Sequence, residues 1–72
     1  MKKVNKIKIR LNGKYIRIQE KITLFNLIKI LKLPIKKVAI ELNQKIVDKR
    51  TLTKIKLKEN DKIEIVHFIG GG

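Results

Sequence analysis

The chain has 72 residues, no cysteine, one histidine and six acidic residues, and its formal net charge is +13 at pH 7. This length allows one small domain, and the absence of cysteine excludes disulfides, thiolate metal sites and a thiol nucleophile. A lone histidine with so few carboxylates also argues against a metal site, so we expect none.

The positive charge comes mainly from sixteen lysines that are scattered along the whole chain, against three arginines. Isoleucine is similarly abundant, so a compositional bias towards both residue types accounts for the pattern without a functional demand. We therefore interpret most of the charge as a solvated surface that can steer acidic partners, and we do not expect a nucleic-acid partner. No apolar stretch approaches a membrane span, and a soluble, cytoplasmic domain without a membrane partner is expected.

The first twenty residues predict a β-hairpin. Residues 6–11 alternate between polar and apolar side chains, which is typical of a strand buried on one face. Asn12-Gly13 then supplies the residues that a two-residue hairpin turn prefers. The return strand covers residues 14–18, with Ile16 and Ile18 facing inward.

A change of period predicts a short helix over residues 24–32. Thr23 is a plausible N-cap, and Pro34 prevents the helix from continuing beyond Leu33. The apolar stripe of this helix consists of Leu24, Leu27, Ile28 and Leu31, broadened by Phe25 and Ile30.

The second half returns to strand patterns. A strand is predicted over residues 38–42, followed by a turn at Asn43-Gln44 and a short apolar piece, Ile46-Val47. Residues 48–59 are expected to form an irregular connection, and residues 59–61 a turn. The last strand is predicted over residues 62–69. The apolar anchors of the connection are Leu52, Ile55 and Leu57.

The last three residues, Gly70, Gly71 and Gly72, are all but one of the glycines in the chain. Because glycine lacks Cβ, such a segment can extend through a slot too narrow for side chains, and three extended residues reach roughly 10 Å. We expect a domain at residues 1–69 and a flexible glycine tail at residues 70–72. The tail is interpreted as a chemical handle that another protein's active site receives, with Gly70 serving either for reach or for strand termination.

Alternation in the last strand places Phe68 and Val66 on the sheet face opposite the helix, if Ile63 and Ile65 face inward. An exposed aromatic residue beside the tail suits a docking anchor for a partner. The same face is expected to pair charges across strands, and no chemical role is assigned to His67. The residues expected in those charge pairs are Lys8, Arg10 and Arg17 with Glu41 and Glu64.

These elements predict an α+β fold in which one helix packs across one face of a mixed four- to five-stranded sheet. The order and the Gly-Gly end resemble ubiquitin-like β-grasp proteins and, among them, the ThiS family of sulfur carriers of thiamine biosynthesis. The matching stretches are TLFNLI at 23–28, VAIELN at 38–43, Ile46-Val47 and DKIEIVHFIGGG at 61–72. Asp48 departs from the family, whose members often have proline there, and so does the high positive charge.

The resemblance implies a carrier and substrate with no catalytic residues and no bound cofactor. An E1-like adenylyltransferase of the ThiF type would use ATP to adenylate Gly72, with Gly71 threading beside it. A cysteine desulfurase or another sulfur donor would then supply sulfur, and Gly72 would become a thiocarboxylate. A thiazole synthase of the ThiG type would accept that sulfur for the thiazole ring.

Three other functions remain open from the sequence. The small subunit of molybdopterin synthase shares the fold and the tail, but usually runs longer, with a proline before the tail. A ubiquitin-like protein modifier would use the same adenylated glycine to acylate lysine. A basic β-grasp module that binds RNA would not need the tail, and its affinity would fall steeply with salt.

Overall fold

The computed structural model describes residues 5–68 of the chain. The first hairpin consists of β1 (Lys6–Leu11) and β2 (Lys14–Gln19), joined by the predicted turn. Asn12 and Gly13 both have positive φ, 48° and 83°, as a type I′ turn requires. The two strands pair antiparallel from Lys6 opposite Gln19 to Leu11 opposite Lys14, so the predicted hairpin is confirmed.

Helix α1 (Leu24–Ile30) follows and begins with a capping box. The hydroxyl of Thr23 accepts a hydrogen bond from the backbone N–H of Asn26 at 3.1 Å, and Oδ1 of Asn26 accepts one from the N–H of Thr23 at 3.2 Å. These bonds satisfy two donors that a helix start leaves without an intrahelical partner. The predicted N-cap is therefore confirmed.

The helix is shorter than predicted because its C-terminus is closed before Pro34 is reached. Lys32 adopts a φ of 57°, and its N–H donates to the carbonyl of Lys29, while the N–H of Leu33 donates to the carbonyl of Ile28. This is the Schellman pattern of hydrogen bonds, with lysine where glycine is usual. The prediction of a helix to residue 32 was therefore wrong by two residues.

The second half contains β3 (Val38–Leu42), β4 (Lys45–Ile46) and β5 (Lys62–His67), with a short 3₁₀ helix (Ile35–Lys37) before β3. β4 lies one residue earlier than the predicted piece, and β5 ends at His67 rather than extending through Phe68. The connection between β4 and β5 is not irregular throughout, because a second 3₁₀ helix spans Lys49–Lys54. Leu52 and Leu57, in this connection, are nevertheless buried as predicted.

The five strands form one mixed sheet in the order β2-β1-β5-β3-β4. β5 is the central strand, parallel to β1 and antiparallel to β3. Helix α1 covers one face, which confirms the predicted α+β architecture. The core contains Ile9, Ile18, Val38, Ile40, Ile63 and Ile65 from the sheet, Leu24, Leu27 and Ile28 from the helix, and Leu52 and Leu57 from the connection.

One predicted member of the helix stripe is exposed to solvent. Ile30 is 67% exposed, whereas Phe25 packs partly buried against the core. At about 100° per residue, Ile30 lies roughly 110° from the centre of the stripe formed by Leu24, Leu27, Ile28 and Leu31. Its side chain therefore lies outside the face that packs on the sheet, so the predicted place of Ile30 in the stripe was wrong.

Candidate functional site

The predicted handle, Gly70, Gly71 and Gly72, lies outside the described residues, and so does Ile69. The structure therefore describes the base of the tail, which is the end of β5. This strand is held by β1 on one side and by β3 on the other, and Ile63 and Ile65 project from it into the core. A central, core-packed strand therefore fixes the backbone up to His67, immediately before the last described residue.

Two further contacts hold the end of β5. Beyond the last pair of the β1–β5 ladder, Oδ1 of Asn12 accepts a hydrogen bond from the N–H of Ile65 at 2.7 Å, and Nδ2 of Asn12 donates to the carbonyl of Ile65 at 3.3 Å. On the other side, the N–H of Phe68 donates to the carbonyl of Lys37 at 2.8 Å. The backbone is thus held as far as Phe68.

Val66 and Phe68 are exposed, by 63% and 56%, as the alternation predicted. Val66 lies directly opposite Ala39 on β3, and Ile46 of β4 lies opposite Glu41 on the same face. Ile46 is 83% exposed. We call Ala39, Ile46, Val66 and Phe68 the apolar patch.

Sequence reasoning identified half of this patch and missed Ala39 and Ile46. Their positions depend on the register between β3, β4 and β5, which the chain order alone does not give. The available signal was weak: Ile46 was identified only as part of a short apolar piece after a turn, and Ala39 is the only alanine in the sequence. The structure places Ala39 directly opposite Val66 and puts Ile46 on the same face of the sheet, one strand further out.

The predicted charged residues do share the helix-free face, but they do not form the predicted cross-strand pairs. Among residues 5–68, the ion pairs are Lys62 with Glu64, at 3.9 Å, and Arg50 with Asp48, at 2.7 Å. Glu41 and Glu64 stand directly opposite each other across β3 and β5. The prediction of charge pairs between the β1–β2 cations and these glutamates was wrong, because Glu64 pairs with Lys62, two residues before it on the same strand, and Glu41 faces Glu64 across β3 and β5.

The cations of the first hairpin contact an aromatic ring instead. Lys8 Nζ lies 5.0 Å from the ring centroid of Tyr15, and Arg10 Cζ lies 5.4 Å from it. Near the tail, Lys49 Nζ lies 5.1 Å from the centroid of the Phe68 ring. All three distances fall within the range of cation–π attraction.

The segment that carries Lys49 is ordered by its neighbour Asp48. Oδ1 of Asp48 accepts from the backbone N–H of Arg50 at 2.9 Å, and Oδ2 accepts from the Arg50 guanidinium at 2.7 Å. The side-chain bonds from Arg50, followed by the backbone bond, lower the pKa of Asp48 from 3.8 to about 2. Asp48 thus begins the second 3₁₀ helix as its N-cap.

His67 is exposed on β5, opposite Val38. In residues 5–68, no three or more His, Cys, Asp or Glu side chains are grouped so as to hold a metal ion. Across the same part of the chain, no helix is long and apolar enough to span a membrane.

Comparisons with known proteins agree with this geometry. A family model described as the ThiS family matches residues 5–72. The sulfur carrier protein ThiS of Bacillus subtilis is 37% identical over 65 residues, which are 89% of this chain and 98% of that protein. A thiazole synthase of Magnetococcus marinus is 42% identical over 66 residues, 92% of this chain. The chain spans only 20% of that protein's length.

Solved structures show the same fold. The crystal structure of the thiamine biosynthesis protein ThiS from Geobacter metallireducens superposes with a TM-score of 0.81 at 26% identity, over 92% of this chain and all of that one. A solution NMR structure of a thiamine biosynthesis protein from the same organism gives a TM-score of 0.74 at 25% identity, over 92% of this chain and 88% of that one.

Proposed function

Because the chain belongs to the ThiS family of sulfur carriers of thiamine biosynthesis, we propose that Gly72 carries the sulfur as a C-terminal thiocarboxylate. The observation that carries the proposal is the match of the family model through residue 72, together with the fixed end of β5 from which the tail begins. The domain holds and aims the tail, and the partners perform the chemistry.

A carboxylate resists attack by a sulfur nucleophile, because oxide is a poor leaving group. An E1-like adenylyltransferase of the ThiF type solves this by joining the Gly72 carboxylate to AMP from ATP, with release of pyrophosphate. A persulfide from a cysteine desulfurase or another donor then attacks the acyl carbon and expels AMP. Attack by a second thiol on the resulting acyl disulfide leaves –COSH on Gly72 and a disulfide on the donor side.

The chain's own contribution is steric and positional. Glycine at positions 71 and 72 places no side chain beside the acyl carbon, so the tail can enter a narrow active site and the carbon can be attacked from either face. The chain has no cysteine, so the transferred sulfur would be the only reactive sulfur on it. Val66 and Phe68 are proposed to dock against the partner while the tail is inside.

The acceptor of the sulfur is proposed to be a thiazole synthase of the ThiG type. Support comes from the Magnetococcus marinus thiazole synthase, a fifth of which resembles this chain. When a segment that resembles the carrier is joined to an enzyme in one polypeptide, the separate carrier and a separate enzyme of that kind are good candidates for consecutive steps of one pathway. In this proposal the carrier binds no cofactor, and ATP is used only by the activating enzyme.

The experiment is the intact mass of the chain after incubation with its own organism's ThiF-type enzyme, ATP and a persulfide donor. The expected product is heavier by one exchange of oxygen for sulfur, and a thiol-alkylating reagent should label it. Deletion of Gly71-Gly72 should abolish the change, while deletion of Lys2-Lys3 serves as a control of equal length and should not. A mass change that persists without Gly71-Gly72 would contradict the assignment to the tail.

A further inference from the structure

The helix-free face of the first hairpin carries a compact group of cations around one aromatic ring. Lys8, Arg10 and Arg17 are exposed there, and the Tyr15 ring is 64% exposed. Lys8 pairs directly with Arg17, and Arg10 with Tyr15, across β1 and β2. We call these four residues the basic cluster.

The charge of the basic cluster is only partly offset by the domain itself. Among residues 5–68, none of its cations forms an ion pair with an acidic side chain. Oε1 of Glu59 accepts a hydrogen bond from the backbone N–H of Lys8 at 3.1 Å, and the carboxylate of Glu64, on the same face of β5, pairs with Lys62 at 3.9 Å rather than with a cation of the cluster. On β5 the direct neighbour of Arg10 is another cation, Lys62.

This arrangement has a local cost. Like charges directly opposite each other on neighbouring strands destabilise a sheet, and Lys8 and Arg17 are such a pair. The Tyr15 ring stabilises Lys8 and Arg10 in part, through its negative face. An anionic surface laid over the cluster would relieve the remaining repulsion.

The basic cluster and the apolar patch lie on the same face of one sheet. Lys62, the partner of Arg10, is four residues from Val66, which is about 13 Å along β5. A protein interface of ordinary size covers about 800 Å² on each partner, enough to include both surfaces. A partner that receives Val66 and Phe68 therefore also reaches Arg10 and Tyr15.

We propose that the enzyme that activates Gly72 has an acidic surface that docks on the basic cluster while an apolar pocket beside it receives Val66 and Phe68. This inference rests on the proposed function. It adds the chemistry of the partner: an acidic patch about 13 Å from an apolar pocket. Charge complementarity of this kind raises the association rate and rejects partners of the wrong sign.

The observations favour a protein over a nucleic acid as the occupant. A single strand of nucleic acid binds through phosphate contacts and stacking on aromatic faces. Here one ring is present in the basic cluster and it already contacts two cations, and beyond Lys62 the same face carries Glu64, Glu41 and then the apolar patch, which phosphates would not bind. An acidic protein surface with an apolar pocket complements both halves.

The test compares two charge-reversal variants of equal net charge. Lys8→Glu/Arg10→Glu changes the basic cluster, and Lys29→Glu/Lys36→Glu makes the same charge change beside the exposed groove near the C-terminus of α1. Both are assayed as carrier substrates of the ThiF-type enzyme at 50 and 500 mM salt, and their dissociation constants for that enzyme are measured separately. Circular dichroism checks that both variants fold.

We expect the KM and the dissociation constant of Lys8→Glu/Arg10→Glu to rise at least about tenfold at low salt, with kcat within about twofold. The difference from the wild type should shrink at high salt, because screening weakens contacts between exposed charges. The control variant should stay within about threefold of the wild type, since it alters only the net charge.

Three results would overturn the inference. If the two variants change KM and the dissociation constant equally, the basic cluster acts only through the net charge of the chain. Tight binding of a 20-nucleotide single-stranded RNA that depends on Tyr15, with unchanged KM for activation, would assign the surface to nucleic acid instead. If the wild-type chain is not adenylated at all, the proposed function is wrong, and the inference that rests on it falls too. If instead the wild type and both variants are all activated normally, only the docking inference is wrong.

Discussion

The side chain of Asn12 hydrogen-bonds the backbone of Ile65 through both of its polar atoms, at 2.7 Å and 3.3 Å. Asn12 belongs to the hairpin turn, and Ile65 belongs to the strand that leads to the tail. β1 ends before β5 does, so the amide group of Asn12 takes the place of the next backbone partner. A turn residue thereby holds the strand that precedes the proposed tail.

Replacement of Asn12 by glycine should destabilise the domain although glycine suits the turn. Glycine accepts the φ of 48° at this position, so the loss isolates the two hydrogen bonds to Ile65. We expect a decrease of about 1–2 kcal/mol in the free energy of unfolding. Chemical denaturation monitored by circular dichroism measures it.

Gln44→Gly is the matched control, because Gln44 also has positive φ, 70°, in the turn between β3 and β4. Relief of the left-handed conformation should leave this variant unchanged or more stable by up to about 1 kcal/mol. Equal stability of Asn12→Gly and the wild type would show that the bonds to Ile65 contribute nothing net.

Lys32→Gly should stabilise the domain. Lys32 closes α1 at a φ of 57°, a conformation that costs a residue with Cβ roughly 1–2 kcal/mol. Glycine loses part of that gain through its greater freedom in the unfolded chain, so we expect a net increase of about 0.5–1 kcal/mol. The same replacement three residues earlier, Lys29→Gly inside the helix, should instead cost about 1 kcal/mol. Thermal melting of Lys32→Gly and Lys29→Gly measures both changes in stability. A loss of stability in Lys32→Gly would contradict the prediction.

Ile28 and Ile30 offer a direct test of which side of α1 faces the core. Ile28 is completely buried and Ile30 is 67% exposed, so removal of one methyl group from each should have different effects. Ile28→Val should cost about 0.5–1.5 kcal/mol, because it leaves a cavity. Ile30→Val should change the free energy of unfolding by less than about 0.5 kcal/mol. If urea titrations show equal losses in the free energy of unfolding for the two variants, α1 presents a different side to the core.

Phe68→Ala should weaken docking at the activating enzyme without abolishing adenylation. Truncation of an aromatic anchor at an interface typically costs more than about 1 kcal/mol, which corresponds to a rise in KM of roughly fivefold or more. Ile30→Ala is the control, since it truncates another large exposed apolar side chain on the helix side. Steady-state kinetics with the carrier as the varied substrate measures both. An unchanged KM for Phe68→Ala would remove it from the docking surface.

Asp48 should titrate with a midpoint near pH 2, below the ordinary value of 3.8. Because the folded pKa is depressed, the stabilisation that Asp48 contributes is present above about pH 4 and is lost as the pH falls towards 2. Carboxyl-carbon NMR shifts measure the midpoint. Arg50→Gln removes the side-chain bonds that are the main cause, so the midpoint should move up towards 3.8; a midpoint that stays near 2 would exclude Arg50 as the cause.

The local sequence was sufficient to predict most of the secondary structure. The Asn12-Gly13 turn, the N-cap at Thr23 and the alternation around Ile63 and Ile65 each depend on interactions within a few residues, and all three are confirmed. The errors occurred where a distant contact or an unusual backbone conformation decides. Lys32 closes the helix in a left-handed conformation that lysine rarely adopts, and the 3₁₀ helix after Asp48 depends on a side-chain cap that no periodicity indicates.

The sequence by itself determined the family, the hairpin, the inward faces of β2 and β5 and the glycine tail on which the proposed chemistry depends. Only the tertiary structure decided which side chains meet on the helix-free face. The order β2-β1-β5-β3-β4 places Ala39 opposite Val66, places Lys62 opposite Arg10, and lets Asn12 reach Ile65. Period and propensity act along a few neighbouring residues, whereas these contacts depend on register between strands that are far apart in the chain.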